Sequence, residues 1–109
     1  MKTYKLALDT VRDIAPLTER IARKDPDLAR QLRRASMSVP LNINEGMYSA
    51  GKNRGARLTN AMASAKESVA CLEVAEAVGY VDGVSIKQPL AQLDRIVASL
   101  WNMVHKPWR

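Results

Sequence analysis

The feature that most constrains the fold is the spacing of apolar residues, which recur every three or four positions along four long segments of the chain. The clearest series advances by alternating steps of four and three residues, through Ile86, Leu90, Leu93, Val97, Leu100 and Val104. This period matches one face of an α-helix and is typical of the seam between bundled helices. Because no segment alternates apolar and polar residues over the length of a strand, the pattern predicts an all-α protein.

Proline, glycine and aspartate residues mark the breaks between these segments. The dipeptide Asp25-Pro26 is typical of a helix start, because aspartate caps a helix N-terminus and proline fits its first turn. Gly79 stands where a helix C-terminus needs a left-handed residue. Ser85 and Gln88 have the spacing of a capping box, with Pro89 as the alternative first helical residue. We therefore predict helices over about residues 3–24, 26–47, 53–78 and 85–106.

The connections between these helices are short, so neighbouring helices should run in opposite directions. The 109 residues are enough for one domain. We expect a single antiparallel up-down-up-down four-helix bundle over residues 1–109. Pro16 and Pro40 fall inside predicted helices, where a missing backbone N–H predicts a bend.

Cysteine content and hydropathy predict a cytoplasmic location. Cys71 is the single cysteine, so no internal disulfide can form, and its apolar helical setting favours a buried, inert thiol. Residues 1–13 are charged and do not resemble a signal peptide. The longest uncharged stretch covers residues 35–44, far fewer than the ~20 residues that cross a bilayer.

The net charge of +6 is concentrated in the middle of the chain. Residues 20–57 contain nine basic and three acidic side chains, and the remainder is neutral. A basic middle on a neutral frame indicates a surface that faces a polyanion, although ordinary solvated helix faces explain the same pattern.

Two basic patches follow from the positions of these residues. The first basic patch comprises Arg23, Lys24, Arg30, Arg33 and Arg34, and the second comprises Lys52, Arg54 and Arg57. A helix of about 20 residues is ~30 Å long, so the patches lie at opposite ends of the second helix. Because no aromatic residues interleave the arginines, we expect salt-sensitive, sequence-tolerant binding to RNA or DNA.

Two further groups have competing interpretations. Asn42, Asn44 and Glu45 either form a polar network that fixes helix or subunit register, or complete a helix end before Gly46. A buried Glu45 would need Arg33, Arg34 or a base from another subunit. The aromatic residues beside and beyond the last seam predict an oligomer interface, formed by Trp101 and Trp108.

The sequence favours a protein without catalytic residues, metal ligands or cofactors. His105 is the single histidine, and no motif pairs it with a nucleophile. At the end of a helix it favours an interaction with the helix dipole. No Glu-x-x-His, metal-binding cluster or phosphate-binding loop is present. Glu67, Glu73 and Glu76 indicate surface salt bridges.

Three stretches resemble one known family. QLRRASMSVPLNINEG at residues 31–46 is similar to the second-helix signature of the four-helix bundle proteins related to the 23S rRNA intervening-sequence protein. AKESVACLE at residues 65–73 and Gly79-Tyr80 are similar to that family's third helix and its exit. The resemblance implies an antiparallel four-helix bundle that assembles into a ring-like homo-oligomer, a pentamer.

The resemblance extends, at greater distance, to the accessory variability proteins of diversity-generating retroelements. Those proteins bind nucleic acid and a reverse transcriptase, which implies RNA or DNA and a protein such as a reverse transcriptase as partners. Two features depart from the family pattern. The loop over residues 48–55 is about three residues longer than expected, and residues 59–61 replace aromatic residues at the start of the third helix.

Overall fold

The computed structural model describes residues 1–106, which form four α-helices without a strand among them. The helices are α1 (Lys2–Ala22), α2 (Pro26–Met47), α3 (Gly51–Ala77) and α4 (Gly83–His105). Each helix packs against its predecessor, and α4 closes the bundle against α1. The molecule measures 47 × 22 × 19 Å. This arrangement confirms the predicted all-α, up-down-up-down four-helix bundle.

The turns at one end of the bundle use the predicted punctuation. Asp25 caps α2, since its carboxylate accepts a hydrogen bond of 3.0 Å from the backbone N–H of Leu28. At the end of α3, Gly79 adopts a φ of +83°. The N–H of Tyr80 then reaches back to the carbonyl of Ala75 at 2.8 Å, which satisfies one of the last carbonyls of the helix.

The start of α4 differs from the prediction. Asp82 is the N-cap, because its side chain accepts a 2.7 Å hydrogen bond from the N–H of Ser85. The expected capping box of Ser85 and Gln88 was wrong, and so was the alternative start at Pro89. Val81 is buried in the core, so the chain re-enters the bundle early and α4 begins directly after it. Pro89 therefore lies inside the helix.

The connection between α2 and α3 is shorter than predicted. It consists of Tyr48–Ala50, because α3 begins at Gly51, and the rest of the expected eight-residue loop is the first part of α3. Ala50 is extended and Gly51 has a φ of +59°. Glycine adopts that conformation without strain, which lets the chain turn directly into the helix.

The core is aliphatic and contains side chains from all four helices. The largest fully buried residues are Ile14, Ile21, Leu32, Ile43, Leu58, Leu72, Leu93, Ile96 and Leu100. Pro16 and Pro40 lie inside α1 and α2, which continue past them. No helix within residues 1–106 has the length and hydropathy needed to cross a membrane.

The buried face of α4 is rotated from the predicted seam. Leu90, Val97 and Val104 are only partly buried. The fully buried series instead includes Pro89 and Ile96, together with Ile86, Leu93 and Leu100.

Helix α3 has apolar residues on two faces. Its buried face includes Leu58, Ala61, Ala65 and Leu72. Four exposed alanines follow one another at seven-residue intervals along the outer side: Ala56, Ala63, Ala70 and Ala77. Only some of the alanines of α3 therefore pack in the core. The others give its outer side a surface of small side chains.

Candidate nucleic-acid interface

The first basic patch surrounds the α1–α2 turn and the start of α2. Arg23 and Lys24 lie in the turn, and Arg33 and Arg34 lie on the outer side of α2; all four are exposed. Arg30 forms an ion pair with Asp27, one turn earlier on the same helix. Within residues 1–106, none of the other four has a carboxylate within ion-pair distance. Their charges are therefore available to a ligand.

The second basic patch lies at the opposite end, on the first turns of α3. Arg57 pairs with Glu45 of α2 through a 3.1 Å contact between Nε and Oε2. Both side chains are about half exposed, so the pair contributes little to stability. Arg54 contacts the sulfur of Met47 at 3.6 Å. Lys52 is exposed.

The fold adds basic residues to this second end that the sequence analysis missed. Lys106 lines the same groove as Arg54. Lys2 and Arg95 line a smaller cleft between α1 and α4. In the sequence, these residues fall outside residues 20–57, in the part of the chain whose net charge is zero. The antiparallel order could have revealed them, because it brings the starts of α1 and α3 to the same end as the finish of α4.

The groove at this end has a volume of about 690 Å³. Its apolar wall comes from α2, α3 and α4 through Met47, Leu58, Met103 and Val104. Leu58 is fully buried and forms the floor. Arg54 and Lys106 add two cationic groups to this apolar surface.

The polar residues near Pro40 do not form one network. Asn42 donates to the carbonyl and the hydroxyl oxygens of Ser38 at 2.9 and 2.8 Å, and Ser38 contacts the hydroxyl of Ser64 on α3 at 2.9 Å. Asn44 is exposed, and Glu45 points to Arg57. Asn42 is thus connected to α3 through Ser38 and Ser64, Glu45 is connected to it through Arg57, and Asn44 faces outward. A buried Glu45 would have needed Arg33, Arg34 or a base from another subunit, but Glu45 is exposed and pairs with Arg57.

Trp101 lies on the surface of α4, with 52% of its area exposed. Its indole stacks on the ring of His105 with a centroid distance of 4.1 Å and an interplanar angle of 15°. Tyr48, at the end of α2, is 87% exposed. Trp108, the other predicted interface residue, lies outside the described residues. The predicted oligomer interface therefore stays a prediction.

The titratable groups with shifted pKa values belong to neither patch. Burial, with a smaller effect from Glu67, raises the pKa of the Cys71 thiol, which disfavours its reactive thiolate form. Hydrogen bonds from Ser85, followed by the charge of Arg20, lower the pKa of Asp82 at the start of α4. Within residues 1–106, no group of three or more His, Cys, Asp or Glu side chains is arranged to hold a metal ion.

Comparison with known proteins places this arrangement among similar folds. The family model described as 23S rRNA-intervening sequence protein matches residues 1–102. A crystal structure of a protein of unknown function, from the S23 ribosomal protein family of Bacteroides thetaiotaomicron VPI-5482, is 17% identical with a TM-score of 0.88. The match covers 95% of this chain and 99% of that one, and at this identity it shows the fold alone. No curated protein matches the chain.

Proposed function

The chain belongs to the 23S rRNA-intervening sequence protein family, and from that premise we propose that it is a non-catalytic, homo-oligomeric bundle that binds RNA or DNA. The binding groups are the two basic patches, and the recognition is independent of sequence. The proposal places this activity in the cytoplasm and adopts the pentamer that the family resemblance implies.

The observation that carries the proposal is the number of basic side chains without an acidic partner. Within residues 1–106, ion pairs involve only two members of the patches, Arg30 and Arg57. The other six have none: Arg23, Lys24, Arg33, Arg34, Lys52 and Arg54. When such groups bind phosphates, they release the cations condensed on the nucleic acid, so the binding weakens steeply with salt. In an oligomer, each patch repeats, and multivalency strengthens weak contacts.

A salt titration tests the nucleic-acid part. A labelled oligonucleotide should bind at about 50 mM salt and dissociate as salt rises, with a slope of about −0.7 to −0.9 per phosphate contacted. The double variant Arg33→Glu, Arg34→Glu should bind more weakly with a shallower slope. Lys66→Glu, at an exposed α3 site outside both patches, is the control and should change binding less. Absence of binding to any polyanion at low salt would contradict the proposal.

Light scattering after size exclusion tests the oligomer, and it should be run with and without nuclease treatment. A mass of several subunits that survives nuclease would support self-association through protein contacts. A monomer at micromolar concentration would contradict it.

A protein-interaction scaffold is the second candidate, favoured by the apolar outer faces. On α2, Met37 is 46% and Leu41 is 63% exposed, and on α3 Val74 is 50% exposed. Here the partner is a protein, such as a reverse transcriptase, and the charge is incidental. Charge reversal at Arg30, Arg33 and Arg34 separates the candidates. Retained protein-partner binding after this reversal, with an affinity for nucleic acid that does not differ from wild type, would favour the scaffold.

A further inference from the structure

We propose that the end of the bundle bearing the second basic patch binds single-stranded nucleic acid by stacking unpaired bases on Trp101 and Tyr48. This inference rests on the proposed nucleic-acid binding and adds the form of nucleic acid that the site prefers. It concerns one end of the molecule only.

The first supporting observation is an aromatic pair that is ordered before any ligand arrives. Trp101 and His105 stack at a centroid distance of 4.1 Å with nearly parallel planes. The ring nitrogen Nδ1 of His105 also lies 3.0 Å from the carbonyl oxygen of Trp101, which holds the imidazole in place. Since 52% of Trp101 stays exposed and His105 is exposed too, a base can extend this stack. A base that joins ordered rings loses less side-chain entropy than one that must order them.

The second observation is a groove with two cations at the end of the bundle where the segments that carry Tyr48 and Trp101 meet. Met47 and Ser49, which flank Tyr48 in the chain, line the groove that Arg54 and Lys106 also line. Met103 and Val104, which lie between Trp101 and His105 in sequence, line it from α4. The groove therefore runs from the segment that carries Tyr48 to the helix that carries Trp101, past two positive charges.

This combination matches the chemistry of a single strand better than that of a duplex. Single strands expose base faces as well as phosphates, and proteins bind them with basic grooves flanked by aromatic rings. A duplex keeps its base faces stacked internally, so Trp101 and Tyr48 would gain nothing from it. Stacking accepts every base, and the binding is therefore independent of sequence.

The test compares three labelled ligands: a single strand of 12 nucleotides with bases, an abasic strand with the same number of phosphates, and a duplex of 12 base pairs. Fluorescence anisotropy at about 50 mM salt gives the affinities, and the single strand is tested as both RNA and DNA. We expect the strand with bases to bind about tenfold more tightly than the abasic strand, since each stacked base contributes appreciably. The duplex has twice the charge density of a single strand, so its affinity is measured at a higher salt concentration that offsets this difference. Under those conditions it should bind about as tightly as the abasic strand.

Aromatic variants then test the assignment. In the double variant Trp101→Leu, Tyr48→Leu, the strand with bases should lose its advantage over the abasic strand. The ratio of the two affinities should therefore fall towards one. The conservative variant Trp101→Phe, Tyr48→Phe should recover most of the ratio, because it retains the rings. Arg54→Gln should weaken all three ligands together.

Three results would overturn the inference. One is a wild-type ratio near one, with abasic binding intact, which would leave the proposed function standing and remove only the stacking. Another is a Leu variant with an unchanged ratio of affinities, which would show that the two rings do not stack on bases. A Leu variant whose mass in solution falls would also overturn it, because that result would assign Trp101 to a subunit interface. Absence of binding to every ligand, the abasic strand included, would instead contradict the proposed function itself.

Discussion

Gly46 lies at a close approach between α2 and α3, where a side chain has no room. A Cβ added there would lie 2.9 Å from Cδ2 and 3.1 Å from Cγ of Leu58, which is fully buried. Leu58 would have to move within a packed core, and overpacking of this kind costs about 1–3 kcal/mol. The cost exceeds the ~0.5–1 kcal/mol that alanine gains over glycine in a helix.

We therefore predict that Gly46→Ala lowers the free energy of unfolding by about 1 kcal/mol, as measured by urea denaturation. Gly55→Ala is the matched control, because Gly55 also lies in a helix and its added Cβ meets no atom within 4 Å. That variant should be more stable than wild type by about 0.5–1 kcal/mol. Equal stabilisation by both substitutions would show that the two helices are not in close contact at Gly46.

The protonation of Asp82 makes the stability of the start of α4 depend on pH. Its pKa is lowered in the folded chain by hydrogen bonds from the side chain and the N–H of Ser85, and then by Arg20. The folded protein therefore binds fewer protons here than the unfolded chain, whose aspartates titrate near 3.9. The stabilising effect is complete above that value and is lost as the pH falls through the lower folded pKa.

We predict that thermal stability, followed by circular dichroism, declines below about pH 4. Asp82→Asn should lose less stability over the same range, because asparagine also caps helices but does not titrate. The difference should be modest, since the side chain of Asp82 is mostly exposed. Parallel pH profiles of the two proteins would rule out a role for Asp82 in the acid response.

Among the helices, α4 shows what an apolar pattern can and cannot determine. Its predicted seam and its buried face share Ile86, Leu93 and Leu100, but Ile96 replaces Val97. Both series advance by three and four residues, so spacing alone cannot distinguish them. The choice depends on how α4 rotates against α1 and α3, which is a tertiary property.

This rotation predicts unequal effects for neighbouring residues. Ile96 is fully buried, and Ile96→Ala should reduce the free energy of unfolding by about 2–5 kcal/mol. Val97 is only partly buried, and Val97→Ala should cost about 1 kcal/mol. Chemical denaturation of both variants checks the order. If Val97→Ala were the more damaging, the seam predicted from sequence would be the correct one.

The helix boundaries show the same division between local and tertiary information. Asp25 and Gly79 act through backbone groups within a few residues, so their roles could be predicted from sequence. The start of α4 could not, because the cap at Asp82 depends on buried Val81 returning the chain to the bundle. The partner of Glu45 was missed for a related reason, since Arg57 reaches it only once α3 lies beside α2.

At the scale of the whole molecule, antiparallel packing redistributes the charge that the linear chain displays. The first basic patch stays local to one turn and could be read from sequence. The second gains Lys106 from the far end of the chain, which lines the same groove as Arg54. Opposite ends of a molecule 47 Å long therefore offer different surfaces, and the end with the second patch also carries the exposed aromatic residues Tyr48 and Trp101.

Some exposed side chains between these ends are apolar, and they bear on self-association. On α2, Leu41 is 63% exposed, and Met37, one turn earlier, is 46% exposed. Exposed apolar side chains that lie together on one helix face are typical of a surface that a partner covers. If this face packs against another subunit, burial of Leu41 contributes about 2 kcal/mol, and a carboxylate there would also be desolvated.

We predict that Leu41→Glu raises the dissociation constant of the oligomer about thirtyfold or more, because 1.4 kcal/mol corresponds to a factor of ten. Light scattering over a dilution series measures the shift, and circular dichroism should show unchanged helix content. Ala15→Glu introduces the same charge at an exposed site on α1 and should leave the mass unaltered. An oligomer that survives Leu41→Glu undiminished would place the subunit contact elsewhere, with the alanine-rich outer side of α3 as the next face to test.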